Sequence, residues 1–298
     1  MNTFQERLCE HHSQLFDVDA ELHRGHTGLQ EVLIFENRVF GRVLALDGIV
    51  QLTDRDNHIY HEMIAHVPLM AHGSAARVLI IGGGDGGALK EVLKHPVEQV
   101  VLVELDRDII ELSKRYFPQV SNGAFDDRRL DLVVGDGVEY VTQAETRFDV
   151  VIVDSTDPVG PGEQLFTKEF YERCRALLGP DGVIAIQSGA AFYNPEQLEG
   201  VCGRLRLSFG ATRPFLAPVP TYAGGMLALV AAGQSFEALC PPVETLRERF
   251  QRLASPTAYY TPEVHGAAFA LAPAFAPGLP RRMNELTGAR RSPSRAPA

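Results

Sequence analysis

Six acidic residues stand just after four short apolar runs in this sequence, and they define the chemistry to look for. Asp85 lies inside VLIIGGGDGG, Val78–Gly87, where Gly82, Gly84 and Gly87 fit the G-x-G-x-x-G pattern of a strand-turn-helix that approaches a nucleotide closely. The bare amides and helix N-terminus of such a turn suit an anion, so an aspartate there repels a pyrophosphate and suits a cation. Asp85 also has the residue type of an N-cap for a helix beginning near Gly86, a secondary reading. Glu104 falls 20 to 22 residues beyond Gly84 and Gly82, the spacing at which an acid takes the ribose hydroxyls. Its other reading is a helix N-terminal acid favoured by the dipole, and Asp106 follows closely. Asp136, in GDG, is placed either to accept from the exocyclic amine of a base or to cap a turn or helix. Asp154 and Asp157 open the segment DSTDPVGPGEQLF, 154–166, as a carboxylate pair at i and i+3. Such a pair can ligate Mg²⁺, but no histidine or third close carboxylate accompanies it, so no metal site is expected.

The elements that must hold these acids follow from hydrophobic periodicity. Across 77–188, apolar strands alternate with helical stretches, the pattern of a parallel α/β sheet. The strands are expected at Val78–Ile81, Val100–Val103, Leu130–Val134, Val150–Val153 and Val183–Ile186. Ligands of such sheets bind beyond the carboxyl ends of the strands, where all six acids fall. The prolines and glycines of 154–166 predict a loop without regular structure, covering an active site. Upstream, 30–53 reads as a small antiparallel sheet with turns at Glu36-Asn37 and Asp47-Gly48. Its last strand delivers Gln51; the polar loop TDRDN then leads to Tyr60, His61 and Glu62 and a helix over MIAHVPLMAH. Residues 1–26 read as polar, with His11 and His12 as solvated surface side chains. Tyr222 precedes Gly224-Gly225 and a strand over MLALVAA, and by itself reads as a turn aromatic packing on the core.

Composition narrows the class. The 298 residues are 45% hydrophobic and 22% charged, which suits a soluble globular protein. No apolar run approaches a membrane span and the N-terminus has no signal-peptide core, so a cytoplasmic location without membrane attachment is expected. The four cysteines are scattered and read as reduced thiols. The net charge is −10, and positions 1–280 hold 23 basic and 37 acidic residues, net −14. An acidic body argues against nucleic acid and is compatible with a cationic substrate. The remainder, 281–298, carries five arginines against one acid and reads as a disordered tail.

Taken in order, LALDGIVQLTDRDNHIYHEMI, VLIIGGGDGGALKEV, VELD, DSTDPVGPGEQLF, VPTYAGG and YYTPEVHGAAFAL resemble the motifs of the spermidine synthases, the polyamine aminopropyltransferases, and of their bacterial members above all. The resemblance runs from about Phe4 to Ala276. It implies a small antiparallel β domain, here 1–73, followed by a methyltransferase-like Rossmann catalytic domain with a mostly parallel sheet, 74–280, in a homodimer or homotetramer. The implied reaction moves the aminopropyl group of decarboxylated S-adenosylmethionine to putrescine, giving spermidine and 5′-methylthioadenosine. The nucleoside compound is a co-substrate, and no separate cofactor is implied. Carried over, Glu104 holds the ribose, Asp136 with Gly137 the adenine, and Asp85 the aminopropyl ammonium. Gln30, Gly82, Gly84 and Pro161 contribute to the same nucleoside site. Gln51, Tyr60, His61, Asp157 and Tyr222 match positions lining the substrate channel, and Asp154 matches the acid/base, acting as positioning group and proton acceptor together. The run QSGAAF, 187–192, lacks an acid that some relatives direct at the far amine, and Ala223 follows Tyr222. Both departures bear on acceptor choice, so cadaverine, agmatine and spermidine stand beside putrescine.

Three other readings are discriminated by particular residues. An S-adenosylmethionine methyltransferase shares the sheet and the ribose acid but needs no partner like Asp85, because its donor carries a carboxylate there. A nicotinamide-dependent oxidoreductase shares only the glycine pattern. A non-catalytic polyamine- or nucleoside-binding protein has no use for Asp154, Tyr60 and Tyr222 together.

Overall fold

The computed structural model describes residues 2–156 and 160–271. Asp157, the tail from 281 and the side chain of Pro161 lie outside the described residues. Six strands come first: β1 Asn2–Cys9, β2 His12–Val18, β3 Ala20–His26, β4 Glu31–Asn37, β5 Gly41–Leu46 and β6 Ile49–Thr53. β1 and β2 form a separate hairpin, and β3 to β6 form an antiparallel sheet in sequence order. Residues 2–26, read from the sequence only as polar, thus form three strands. The signal is masked because these strands bury little: along β2 only Phe16 is fully enclosed, against Phe35, Val43 and Val50. His11 is solvated as expected, with its side chain 89% exposed. His12 is not, because its ring packs on Tyr193 at 4.9 Å between centroids.

The turn between β5 and β6 is the expected two-residue loop, with Asp47 and Gly48 both at positive φ and Leu46 paired with Ile49. The other turn is displaced. Glu36 and Asn37 belong to β4, Asn37 pairs with Gly41, and residues 38–40 make the reversal. Asn37 still directs it, since its side-chain oxygen accepts from the amides of Val39 and Phe40.

Helix α1, Asn57–His72, begins six residues earlier than the sequence pattern suggests, so Tyr60, His61 and Glu62 sit within its first turns. Thirteen of its 16 residues are buried, which makes it a core helix hidden on all sides. The rest of the chain alternates: β7 Arg77–Gly82, α2 Gly87–Leu93, β8 Gln99–Glu104, α3 Arg107–Tyr116, α4 Pro118–Ser121, β9 Leu130–Val134, α5 Gly137–Gln143, β10 Phe148–Asp154, α6 Lys168–Leu177, β11 Leu178–Ala190, α7 Pro195–Leu205, β12 Ala211–Ala217, β13 Leu227–Gly233, then α8 Phe236–Leu239, α9 Val243–Phe250 and α10 Pro262–Ala268. All five expected parallel strands are present, and MLALVAA supplies β13. The stretch expected to be an irregular loop instead contains a 3₁₀ helix, Gly160–Phe166. Proline and glycine exclude a long α-helix there but not a short 3₁₀ piece.

Seven strands form one sheet in the order β12-β13-β11-β10-β7-β8-β9. β7 to β11 run parallel, while β13 and β12 close the edge as an antiparallel pair. Counted within the sheet this is 3-2-1-4-5-7-6, and order reverses between β7 and β10, so a ligand crevice is expected above their ends. One face is covered by α1, α2 and the C-terminal helices, the other by α6 and α7. Val78, Leu79, Ile80 and Ile81 of β7 are all at most 2% exposed, and each such side chain contributes about 1.5–3 kcal/mol through burial. The small sheet packs through Val32, Ile34, Leu44 and Leu52 onto Ile109 of α3, Val120 of α4 and Phe117 between them. This contact brings β6 and the start of α1 to the mouth of the crevice.

Candidate active site

The crevice forms where β7 and β10 separate, and its geometry begins with backbone. Asp154 pairs with Gly82, and the Gly83 amide donates to the Asp154 carbonyl at 2.9 Å. Gly82 has φ 82°, and a Cβ added there would lie 2.1 Å from that carbonyl oxygen, so only glycine fits. A Cβ on Gly84 would meet the Glu104 carboxylate at 2.9 Å, and one on Gly137 would meet Ile81 at 2.5 Å. The glycines therefore set how closely three acid-bearing strand ends approach one another.

Asp154 is the centre. Its Oδ1 accepts from the Tyr60 hydroxyl at 2.5 Å, while Oδ2 is buried without a partner among the described residues. Burial first, and then the nearby Asp85, push its pKa up to about 6, with His61 and the Tyr60 bond pulling the other way. Burial also holds the Tyr60 phenol well above its ordinary value, with Asp154 and Tyr222 adding to the shift, so it remains a donor. Tyr222 crosses Tyr60 edge-on, with ring centroids 6.4 Å apart, and donates its hydroxyl to the Gln51 carbonyl at 2.7 Å. The reading of Tyr222 as merely a core-packing turn aromatic thus omits its polar contact. The Gln51 side chain itself turns back to the Ile49 carbonyl at 3.3 Å.

Asp85 makes two contacts. Oδ1 accepts from the Gly87 amide at 2.6 Å, a cap-like contact at the start of α2, and Oδ2 faces His61 Nε2 at 3.2 Å. Burial raises the Asp85 pKa, but His61, the Gly87 amide and Lys90 more than offset this, and the carboxylate is held below its usual range. Burial likewise lowers the His61 pKa, but Asp85 outweighs it and the net shift is upward. Because His61 Nε2 faces a carboxylate it carries a proton, while Nδ1 lacks a partner among the described residues.

Glu104 ends β8, and burial pushes its pKa up to about 7 although the Asp106 amide donates to its Oε1 at 2.8 Å. Gln30 reaches this strand end too: its Nε2 donates to Asp106 Oδ2 at 2.9 Å, beside Thr27 Oγ1 at 2.5 Å. Asp106, rather than Glu104, is the N-cap of α3, accepting from the Asp108 amide. Asp136 is an N-cap as well, taking the Val138 and Glu139 amides at 2.6 and 3.1 Å on Oδ1, and it is exposed beside the end of β8 through the Gly135 amide and Glu104 carbonyl. Asp154, Tyr60, Tyr222, Asp85, His61 and Glu104 therefore converge, with Asp136 and Gln30 at the β8–β9 end. Three residues absent from the sequence reading join them. Asp56 and Thr221 bind one another behind the tyrosines, and Thr27 supports Asp106. Asp56 carries a sequence signal, being an N-cap residue type just before α1, but its carboxylate does not cap the helix.

Among the described residues no group of three or more His, Cys, Asp or Glu could hold a metal ion. The arrangement can place one buried carboxylate against a cationic head group, another against a sugar, and a third, with an elevated pKa, against a nucleophile.

Known proteins share this sequence and fold. The spermine/spermidine synthase domain model matches residues 57–239, and the spermidine synthase tetramerisation domain model matches residues 4–54. The polyamine aminopropyltransferase of Pseudomonas syringae pv. tomato is 46% identical over 91% of this chain and 95% of its own length. Polyamine aminopropyltransferase 1 of Pseudomonas aeruginosa is 47% identical with the same coverage, and the Ruegeria enzyme is 48% identical over 89% and 94%. A spermidine synthase crystal structure in complex with the transition-state analogue AdoDATO superposes with a TM-score of 0.86 at 38% identity, covering 91% of this chain and 92% of that one. The spermidine synthase of Thermotoga maritima gives 0.83 at 36% identity, covering 91% of each chain.

Proposed function

Because the chain belongs to the spermine/spermidine synthase family and is a transferase, we propose that it moves the aminopropyl group of decarboxylated S-adenosylmethionine onto putrescine, giving spermidine and 5′-methylthioadenosine. The observation that carries this reading is the buried Asp154, fixed on one oxygen by Tyr60 and open on the other, one strand end away from Asp85. Decarboxylated S-adenosylmethionine ends in an ammonium where the ordinary donor has both ammonium and carboxylate. An ionised Asp85 pairs with the first and opposes the second. In this reading Glu104 accepts from the ribose hydroxyls and Asp136 from the adenine amine, with Gly82, Gly84 and Gly137 allowing the nucleoside close.

The chemical step is a displacement at the carbon next to the sulfonium. The acceptor nitrogen forms the new C–N bond as the C–S bond breaks, and the sulfur leaves as a neutral thioether. Charge disperses in the transition state, so alignment and exclusion of water matter more than an anion against sulfur. The nitrogen must also shed a proton, which passes to Asp154 Oδ2. An alkylamine has an ordinary pKa of about 10.4, far above a normal aspartate. Raising Asp154 from 3.8 to about 6 narrows that mismatch by roughly 3 kcal/mol. When the donor ammonium neutralises Asp85, the share of this shift owed to Asp85 is lost and burial sustains the remainder. The hydroxyls of Tyr60 and Tyr222 orient the amine between them.

The test is incubation with decarboxylated or intact S-adenosylmethionine and a panel of putrescine, cadaverine, agmatine and spermidine, with products read by mass spectrometry. Spermidine and methylthioadenosine are expected from the decarboxylated donor and putrescine, and EDTA should leave the rate unchanged. Absence of product from that donor with every amine would sink the proposal. A faster reaction with another acceptor would keep the transfer and replace putrescine. Asp85→Asn should lower the preference for the decarboxylated donor.

A further inference from the structure

Asp56 occupies the N-cap position of α1, and its residue type is a favoured cap, but its carboxylate makes no capping bond to the helix. It is 5% exposed and its oxygens point elsewhere. Oδ2 accepts from both the amide of Thr221 at 2.8 Å and its hydroxyl at 2.5 Å, and Oδ1 accepts from the Thr53 hydroxyl at 2.5 Å. A buried carboxylate is costly unless hydrogen-bonded, so three donors on one group make a strong local fixture. It joins two segments distant in sequence at the point where each presents a tyrosine to the crevice. Tyr60 lies one helical turn beyond Asp56, and Tyr222 is the residue after Thr221.

The other side of Thr221 is held as well. Its carbonyl accepts from Gln14 Nε2 of the N-terminal hairpin at 3.1 Å, and the same nitrogen donates to Glu6 Oε2 at 2.7 Å. Glu6, itself 3% exposed, uses Oε1 to accept from the amide of Val50 at 2.9 Å. Val50 adjoins Gln51, whose carbonyl receives the Tyr222 hydroxyl. The hairpin thus grips the strand carrying Gln51 and the turn carrying Tyr222 with two polar side chains, Glu6 buried and Gln14 partly so.

We propose that Asp56, with the Gln14–Glu6 pair of the hairpin, is a positioning device for the acceptor amine. It sets the spacing of Tyr222 from Tyr60 and Gln51, and so makes the hairpin part of the acceptor site without touching either substrate. The inference rests on the aminopropyltransferase reading for what the tyrosines hold, and on the hydrogen bonds for what holds the tyrosines. It separates the two substrates: acceptor use depends on the clasp, whereas the donor's binding groups on β7, β8 and β9 do not.

Steady-state kinetics of Asp56→Asn and Gln14→Ala, with methylthioadenosine affinity measured by calorimetry, test this. Each variant should raise the acceptor KM by about tenfold or more, with methylthioadenosine affinity within about twofold of wild type. Acceptor KM within that same twofold, whatever happens to the melting temperature, would overturn the proposal and leave the network purely structural. If Asp56→Asn does not fold, Gln14→Ala decides, because Gln14 is only partly buried on a two-stranded hairpin. Hydrogen exchange at the amides of Tyr222 and Gly225 provides a readout independent of turnover. In Gln14→Ala it should accelerate, and unchanged exchange counts against the clasp. A wild-type protein inactive with all amines would defeat the assigned reaction instead, leaving the exchange result to judge the clasp.

Discussion

With its carboxylate buried beside Asp85, Asp154 changes ionisation near pH 6, and Glu104 does so near pH 7. Both acids serve the proposed reaction only as carboxylates, one accepting a proton and the other accepting from the ribose. The expected kcat/KM therefore rises with pH through about 6 to 7, and a profile flat from pH 5 to 8 would contradict these roles. Asp154→Asn should reduce turnover by about 10² to 10⁴ while methylthioadenosine still binds. Loss of nucleoside binding instead would move Asp154 out of the proton-transfer role. The same shifts bear on stability with a definite sign. A carboxyl whose folded pKa is raised favours the folded state fully below its unfolded pKa. That contribution is lost as pH rises through the folded value, here about 6 to 7. The site is bought with stability at neutral pH.

At the scale of elements, α1 matters because it carries Tyr60 and His61 while packing against α2, which begins just after Asp85. Their contact is polar at its heart. His66 Nε2 lies 3.0 Å from Glu91 Oε2, Lys94 Nζ lies 2.6 Å from the same oxygen, and His66 Nδ1 is 2.8 Å from His95 Nε2. Glu91 is 1% exposed, and although burial raises its pKa, His66 and Lys94 more than offset this and bring it down to about 2. Its contribution to stability is present above the unfolded pKa near 4.5 and fades as pH falls toward 2. Glu91→Gln should therefore cost about 2–4 kcal/mol at pH 7, with the difference from wild type shrinking below pH 4.5, as measured by urea denaturation. A variant as stable as wild type at pH 7 would show that the network does not fix α1 on α2.

At the scale of the molecule, two sheets meet so that residues from 14 to 222 act on one crevice. The small sheet closes onto α3 and α4 through an apolar contact, and the hairpin reaches Thr221 and Val50 through polar ones. The segment matched by the tetramerisation domain model, residues 4–54, covers nearly all of the hairpin and the small sheet. Light scattering of the purified protein is expected to give the mass of a dimer or tetramer. A monomer at micromolar concentration would contradict that expectation. No helix among the described residues is long and apolar enough to cross a membrane.

The sequence by itself determined the parallel strands, the glycine turn and the acids beyond the strand ends. These depend on local chemistry: β-branched runs become buried strands, and only glycine tolerates the backbone at Gly82. It also carried the family motifs that named the reaction to test. The first three strands escaped it, because Asn2–His26 buries too little for alternation to stand out against a polar background. The 3₁₀ helix at Gly160–Phe166 escaped because proline and glycine signal interruption without specifying what replaces a helix. Only the tertiary structure decided which acids share a crevice and which simply cap helices. Asp85, Asp136 and Asp106 each accept from a backbone amide two residues on, but only Asp85 also faces His61 beside Asp154. It also redirected Asp56 from the helix it precedes to Thr221, 165 residues later. Burial and long-range hydrogen bonds are properties of the packed chain, and they set aspartates against a tyrosine hydroxyl, a histidine, helix amides and a distant threonine.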